Sequence, residues 1–218
     1  ISACLVGSEM CIRDRFEKAA KKGSGAAMHA IAGFYEKGRA VKADAEESLR
    51  WLIRAATANF PVAMRELGNR YRVGTGLNKD TIVAQSWLTR AASNGDAESA
   101  LTVAEMLISG EGGLPPDPKN AKAILTRASE LGIAEAQVRL AEYHEKGLDG
   151  RPDLIRAYAL ALAVGDKYEP GKAKREALEK VMTKEQVELG KKEYERIRAT
   201  PAAGLDAAAP TVPEGVKS

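Results

Sequence analysis

The sequence predicts an all-α protein, with about four helix-turn-helix repeats stacked on one another and a C-terminal pair of capping helices closing the stack. Three observations carry this. Alanine supplies 38 of the 218 residues and aromatics only 5%, too few for an ordinary β-sandwich. Several residue columns return every 36 or 37 positions, the range of helix-pair repeats. Within each period, small and apolar residues fall at helical spacing.

The chain opens with ISACLVGSEMCIRDR, residues 1–15, which shares no pattern with the rest of the chain. It lacks the basic start, continuous apolar core and small-residue cleavage site of a signal peptide. It resembles sequencing-adapter DNA translated in frame with a truncated gene, and is expected to be non-native. Both cysteines, Cys4 and Cys11, lie within it. The remainder offers no disulfide, zinc cluster or thiol nucleophile. The net charge of +3 is untouched, since Arg13 and Arg15 balance Glu9 and Asp14. On this reading the true N-terminus precedes the chain, and any export signal with it.

Residues 16–165 are expected to form the repeat array. Ala19-Ala20, Ala55-Ala56, Ala91-Ala92 and Ala128-Ser129 mark the period. Trp51 and Trp87, then Ile124, repeat with it, as do Gly38, Gly74, Gly110 and Gly147. Asp44, Asp80, Asp117 and Asp153 form a further column. The first helix of each unit carries its apolar face at i, i+4, i+5 and i+8. Its copies are Ala27, Ile31, Ala32, Tyr35; Ala63, Leu67, Gly68, Tyr71; Ser99, Val103, Ala104, Leu107; and Ala136, Leu140, Ala141, His144. Glycine or alanine in the third column lets a neighbouring helix approach closely.

Glycine then ends the first helix by taking a left-handed conformation. The aspartate column starts the second by capping its free N–H groups. Asp44 with Glu47 suggests a capping box, and Asp117-Pro118 places proline at a favoured first helical position. In the second helix Trp51, Leu52 and Ala55 are expected to form a buried stripe. Gly95, Gly132 and, in the first copy, Asn59 close these helices. The last second helix, 154–164, lacks tryptophan and is shorter.

Residues 166–198 read as two capping helices. Ala177, Leu178, Val181 and Met182 form one stripe, and Thr183 with Gln186 a capping box. Ten basic and eight acidic residues from Asp166 to Arg198 mix signs, as on a solvated face. Residues 199–218, rich in Pro, Gly and Ala, are expected to be a disordered tail.

These columns resemble the SEL-one-like repeat, a short relative of the tetratricopeptide helix pair. Pro61 to Gly95 carries the pattern most fully: Ala63, Leu67-Gly68, Tyr71, Gly74, Gly76, Asp80, Ala84, Trp87, Ala91-Ala92 and Gly95. The resemblance covers Phe16 to Gly165. It implies a right-handed α-solenoid that binds proteins, as assembly platforms and signalling regulators do. In bacteria it also implies envelope and exopolysaccharide complexes, so the periplasm or envelope is favoured over the cytoplasm. The cysteine-rich branch linked to penicillin binding is not matched.

Chemistry is hard to find. His144 stands in the tyrosine column, where packing is its expected role. His29 has no H-x-x-x-H or H-x-H companion, so metal-ligand spacing is missing. Glu46-Glu47, Glu142 and Glu145 read as solvated faces. Gly110-Glu111-Gly112-Gly113 comes after a helix and lacks a Lys-Ser/Thr ending, so it reads as a loop and not a phosphate cradle. No cofactor, catalytic residue or metal site is expected. The spread of +3 charge argues against nucleic acid, and no apolar run reaches the length of a membrane span.

The expected function is that of a non-enzymatic adaptor or scaffold for a protein or peptide segment. By analogy with tetratricopeptide arrays, the partner would lie along the outward columns of the first helices. These columns are His29, Arg65, Leu101, Val138; Gly33, Asn69, Glu105, Glu142; and Glu36, Arg72, Ile108, Glu145. The candidate contacts are His29, Arg65, Asn69, Arg72, Glu105, Glu142 and Glu145. The alternative is the repeat portion of a larger enzyme or sensor, and a third reading is a self-associating array.

Overall fold

Each period folds into two helices, of 13 residues each in the first three periods and of 13 and 11 in the fourth, and an aspartate starts the second of each pair. The computed structural model describes the backbone of residues 2–199 and the side chains of residues 10–199. The described residues form eleven α-helices and no strand. These are α1 (Ser2–Lys21), α2 (Gly25–Lys37), α3 (Ala45–Thr57), α4 (Pro61–Val73), α5 (Thr81–Ser93) and α6 (Ala97–Ser109), then α7 (Pro118–Glu130), α8 (Ala134–Lys146), α9 (Leu154–Val164), α10 (Glu169–Val181) and α11 (Lys184–Ala199). A short 3₁₀ turn, Glu111–Gly113, lies in the longer third loop. The chain divides into two compact units, Ile1–Ser99 and Ala100–Ser218.

The aspartate column does two jobs. Each carboxylate caps the next helix: Asp44 accepts from Glu46 and Glu47 N–H, both at 3.0 Å, and Asp80 from Val83 N–H at 3.0 Å. Asp117 and Asp153 repeat this with Asn120 and Arg156 at 3.0 and 2.9 Å. Each aspartate N–H also donates back to the first helix of its own pair. The acceptors are the carbonyls of Tyr35, Tyr71, Leu107 and His144, at 3.0, 2.9, 2.7 and 2.8 Å. These acceptors are the tyrosine column itself. The column therefore holds the helix pair through its backbone as well as its ring, which is why Leu107 and His144 can replace tyrosine. This tie corrects the expected Asp44–Glu47 capping box. The Asp44 N–H is already taken by Tyr35, and the Glu47 carboxylate turns to Arg50 at 3.1 Å. The box at Thr183 and Gln186 does form in both directions, at 2.9 and 3.2 Å.

In the unit Ile1–Ser99, α2 pairs with α3 and α4 with α5, and α3 packs on α4. Leu52, Met64 and Leu67 are buried among Ala32, Ala55, Ala56, Ala63 and Ala91. Gly68 carries α4 close against α5, where an added Cβ would stand 2.8 Å from Leu88 Cγ and 3.2 Å from the Ala84 carbonyl oxygen. The tryptophans depart from expectation. Leu52 and Ala55 are fully buried, but Trp51 and Trp87 are half-buried. The guanidinium of Arg54 lies 4.8 Å from the Trp51 ring centroid, and that of Arg90 4.6 Å from Trp87. Each indole packs partly on the core while a guanidinium lies over its ring.

The helix α1 runs through the boundary drawn at Arg15. Arg13 reaches the Ala40 carbonyl at 3.4 Å and Glu17 at 3.2 Å. Phe16 and Ala20 pack with Ala27 and Ile31. The expected tail at 199–218 lies outside the described residues beyond Ala199.

In the unit Ala100–Ser218, α7 and α9 pack on α8, and α10 and α11 both pack on α9. At Gly190 in α11 a Cβ would stand 2.6 Å from the Tyr158 ring, so α11 lies directly on that ring. Burial, then the hydrogen bond to Glu179 at 2.8 Å, pushes the Tyr158 phenol up to about 12. Val138, read from the sequence as an outward residue, is buried instead. Three helices, α7, α9 and α10, pack on α8, so its apolar surface wraps further round than that of α4, which packs on α3 and α5.

His144 is 6% exposed and stacks edge-on against Tyr143 at 5.8 Å. Burial, then Lys122 and Arg156, lower its pKa, while Asp153 and Asp149 oppose this. The folded state therefore binds a proton less readily than the unfolded chain, whose histidine titrates near 6.5. Stability from this group is present above that value and is lost as pH falls through it. Urea midpoints are expected to drop between about pH 7.5 and pH 5.5, and less steeply in His144→Gln. Equal slopes in the two proteins would remove His144 as the cause.

Candidate functional site

The face of α4 bears Val62, Arg65, Glu66, Asn69, Arg70 and Val73, spaced three or four residues apart along one stripe. A cavity of about 390 Å³ lies along it, with His29 of α2 and Glu98 of α6 on its flanks. All of these residues belong to the unit Ile1–Ser99.

The helices position the charges against one another. His29 Nε2 lies 2.9 Å from Glu66 Oε2, and its ring sits 5.5 Å from that of Phe60. Arg70 donates to Glu66 at 2.6 Å and to Glu36 at 2.9 Å. The hydrogen bond from His29 holds the Glu66 carboxyl below the usual range, and Arg70 adds to this against the opposing effect of burial. Arg65 binds Glu98 and lies 3.6 Å from Asp96. Asp96 in turn caps α6 through Ser99, at 2.9 Å to N–H and 2.6 Å to Oγ. The carboxamide of Asn69 is the exception, with no hydrogen-bond partner among the described residues.

The structure sorts the seven sequence candidates into two groups. His29, Arg65 and Asn69 line the α4 cavity. Arg72, on the same helix, does not line it; its neighbour Arg70 does. Glu105, Glu142 and Glu145 belong to the other unit and are ion-paired there. Arg139 binds Glu105 at 3.2 Å and Glu142 at 3.5 Å, and Lys174 binds Glu145 at 2.8 Å. Arg65, Glu105 and Glu145 are thus ion-paired with a neighbouring helix of their own chain, His29 hydrogen-bonds with Glu66 of α4, and Glu142 meets Arg139 within α8 and lies 3.9 Å from Lys174 of α10.

Sequence reasoning missed Glu66, Arg70, Arg139 and Lys174. A signal for some of them was available. The cross-helix pairs Arg65–Glu98, Arg70–Glu36 and His29–Glu66 join residues 33, 34 and 37 positions apart, close to one period. Glu66 and Arg70 are also an i,i+4 pair.

Among the described residues no His/Cys/Asp/Glu group is arranged to hold a metal ion, and no helix is long and apolar enough to cross a membrane. Neither His29 nor His144 stands beside a nucleophile in a triad-like arrangement. The face offers hydrogen bonding, matched charge and exposed valine.

Comparison with known proteins agrees with the repeat architecture. The family model of the Sel1 repeat matches residues 25–60, 61–96, 97–133 and 134–163. Each match to residue 133 starts at or beside the first residue of a first helix and spans one helix pair. The chain is similar to the chitin synthase regulator SKT5 of Saccharomyces cerevisiae, 34% identical over 101 residues. That match covers 45% of this chain and 14% of the yeast protein, so the chain spans about a seventh of the curated relative's length. Among solved structures it resembles a Sel1 repeat protein from Oxalobacter formigenes, with a TM-score of 0.66 and 24% identity, covering 80% of this chain and 74% of that one. The likeness shows a shared fold, an all-α solenoid of four repeats.

Proposed function

The chain belongs to the Sel1 repeat family, and from that premise we propose that it is a non-enzymatic scaffold whose partner lies along the first-helix face at α4. Sel1 repeats generally mediate protein–protein interaction. The observation that carries the reading is the α4 cavity. It combines two guanidinium groups, an unpaired carboxamide and valines at both ends, but no nucleophile–base pair and no metal-binding cluster among the described residues. Such a surface suits recognition of a protein segment better than bond breaking. A regulatory role in the similar yeast protein supports the same class.

The seven candidate residues enter this reading unequally. His29, Arg65 and Asn69 would meet the partner directly, and Arg72 would do so from the next turn of the face. Glu105, Glu142 and Glu145 would form a second contact area on their own unit, in exchange with Arg139 and Lys174.

The test is quantitative. A partner captured with the full chain is titrated against a variant carrying Arg65→Ala, Asn69→Ala and Arg72→Ala. Affinity is expected to fall about tenfold or more, the loss of one or two good polar contacts. Unchanged affinity would place the interaction elsewhere.

A further inference from the structure

We infer that the α4 cavity takes an uncharged, extended peptide segment with apolar side chains, in preference to an acidic or a basic one. This rests on the reading that α4 holds the partner, and adds what chemistry that partner has.

The charges on the cavity wall cancel. Arg65 and Arg70 face Glu66 and Glu98, and the ring of His29 shares Glu66. Each guanidinium is already held by a carboxylate from another helix, Arg65 by Glu98 and Arg70 by Glu36. A charged ligand side chain gains a partner only by displacing one of these. That exchanges one partly exposed ion pair for another, which yields little. Without such an exchange it would enter beside an equal number of like and unlike charges.

Asn69 is different. Its carboxamide has two donors, an acceptor oxygen and no partner among the described residues. An amide side chain matches a peptide bond donor for acceptor, so it can hold a ligand's backbone whatever side chains that ligand carries. The two valines fix the spacing. Val62 and Val73 lie eleven residues apart on α4, about 16 Å at 1.5 Å per residue. An extended chain covers that span in about five residues. Asn69 falls between them, about 6 Å from Val73 along the axis. Val73 is 67% exposed, an apolar side chain with room for a neighbour. Successive side chains of an extended chain point to opposite faces, so the two that turn toward the valines stand six positions apart, the shortest even spacing that covers the span, with an uncharged stretch between them.

Three blocked, fluorescein-labelled peptides test this with the full chain: Ser-Val-Ala-Ala-Ser-Ala-Ala-Val-Ser, and the same sequence with the central Ser-Ala replaced by Glu-Glu or by Lys-Lys. By fluorescence anisotropy the neutral peptide is expected to bind about fivefold or more tighter than either charged one, since a charge turned to the cavity wall must displace an existing ion pair or stay unpaired. Its Kd is expected to change less than about twofold between ~50 and ~500 mM NaCl, because no net charge is screened. Asn69→Ala is expected to weaken it about tenfold. Helix content by circular dichroism should be retained, since alanine favours this half-exposed helix position. Tighter binding of a charged peptide that Asn69→Ala or Val73→Asp disturbs would overturn the inference and leave α4 as the partner site. Neutral-peptide binding indifferent to Asn69→Ala would also overturn it. No binding by any of the three would overturn both readings.

Discussion

Leu52→Ala is expected to destabilise the unit Ile1–Ser99 by about 3–5 kcal/mol, toward the upper end for a buried leucine. Leu52 is fully buried, and its cluster contains Ala32, Ala55, Ala56, Ala63 and Ala91. The cost of a leucine-to-alanine change grows with the void left behind. Alanine has no rotatable side chain with which to fill a void, so relaxation falls to Met64, Leu67 and the backbone. An alanine-rich core packs helices closely but leaves few side chains carrying most of the apolar burial. Urea unfolding monitored by tryptophan fluorescence reads this directly, because Trp51 and Trp87 both belong to that unit. Ile53→Ala, next in sequence but 36% exposed, is the control and is expected to cost about 1 kcal/mol or less. Midpoint shifts of equal size for the two would show that Leu52 does not hold the core.

The second large effect is expected at Gly147. It ends α8 with φ +60°, and an added Cβ would stand 2.5 Å from Pro152 N and 2.7 Å from the Arg151 carbonyl carbon. Both obstacles are backbone, and the proline ring stiffens the one that would have to move. Gly147→Ala should therefore carry the left-handed cost of about 1–2 kcal/mol plus an overpacking cost of about 1–3 kcal/mol. Gly132 separates the two contributions. It also has a positive φ, +78°, but a Cβ there meets nothing within 4 Å. Gly132→Ala should carry only the left-handed cost. Thermal unfolding of the two variants decides the matter: equal losses would mean that the contact with Arg151 and Pro152 is not rigid.

The repeat columns made the helix boundaries legible. Glycine at 38, 74 and 147 and aspartate at 44, 80, 117 and 153 act through their own backbone geometry and short side chains, within one or two turns of chain. Their effect needs no distant partner, so reading them in order locates the helices. The two misreadings share the opposite property. Trp51 could not be placed by periodicity, because how far a ring at the edge of a stripe is buried depends on how the neighbouring helices pack against it. Val138 depends on how many helices pack on α8, which meets α10 as well as α7 and α9. The Asp44–Glu47 box failed for a related reason, since the Asp44 N–H was taken by Tyr35, nine residues earlier.

The candidate site divides in the same way. Sequence columns brought His29, Arg65 and Asn69 to one face, and the structure lines one cavity with them. Which of them keeps an uncommitted polar group was not legible. Arg65 is tied to Glu98 across 33 residues and His29 to Glu66 across 37, whereas Asn69 is left without a partner among the described residues.

By itself, then, the amino-acid sequence determined the helix-pair architecture, its period and the residues that begin and end each helix, because those choices are settled by local backbone chemistry repeated many times. Only the tertiary structure decided which polar groups are satisfied inside the chain. A hydrogen bond or ion pair between helices depends on side-chain positions set by packing, and a period of 36 residues says which helices are neighbours without saying which side chains touch.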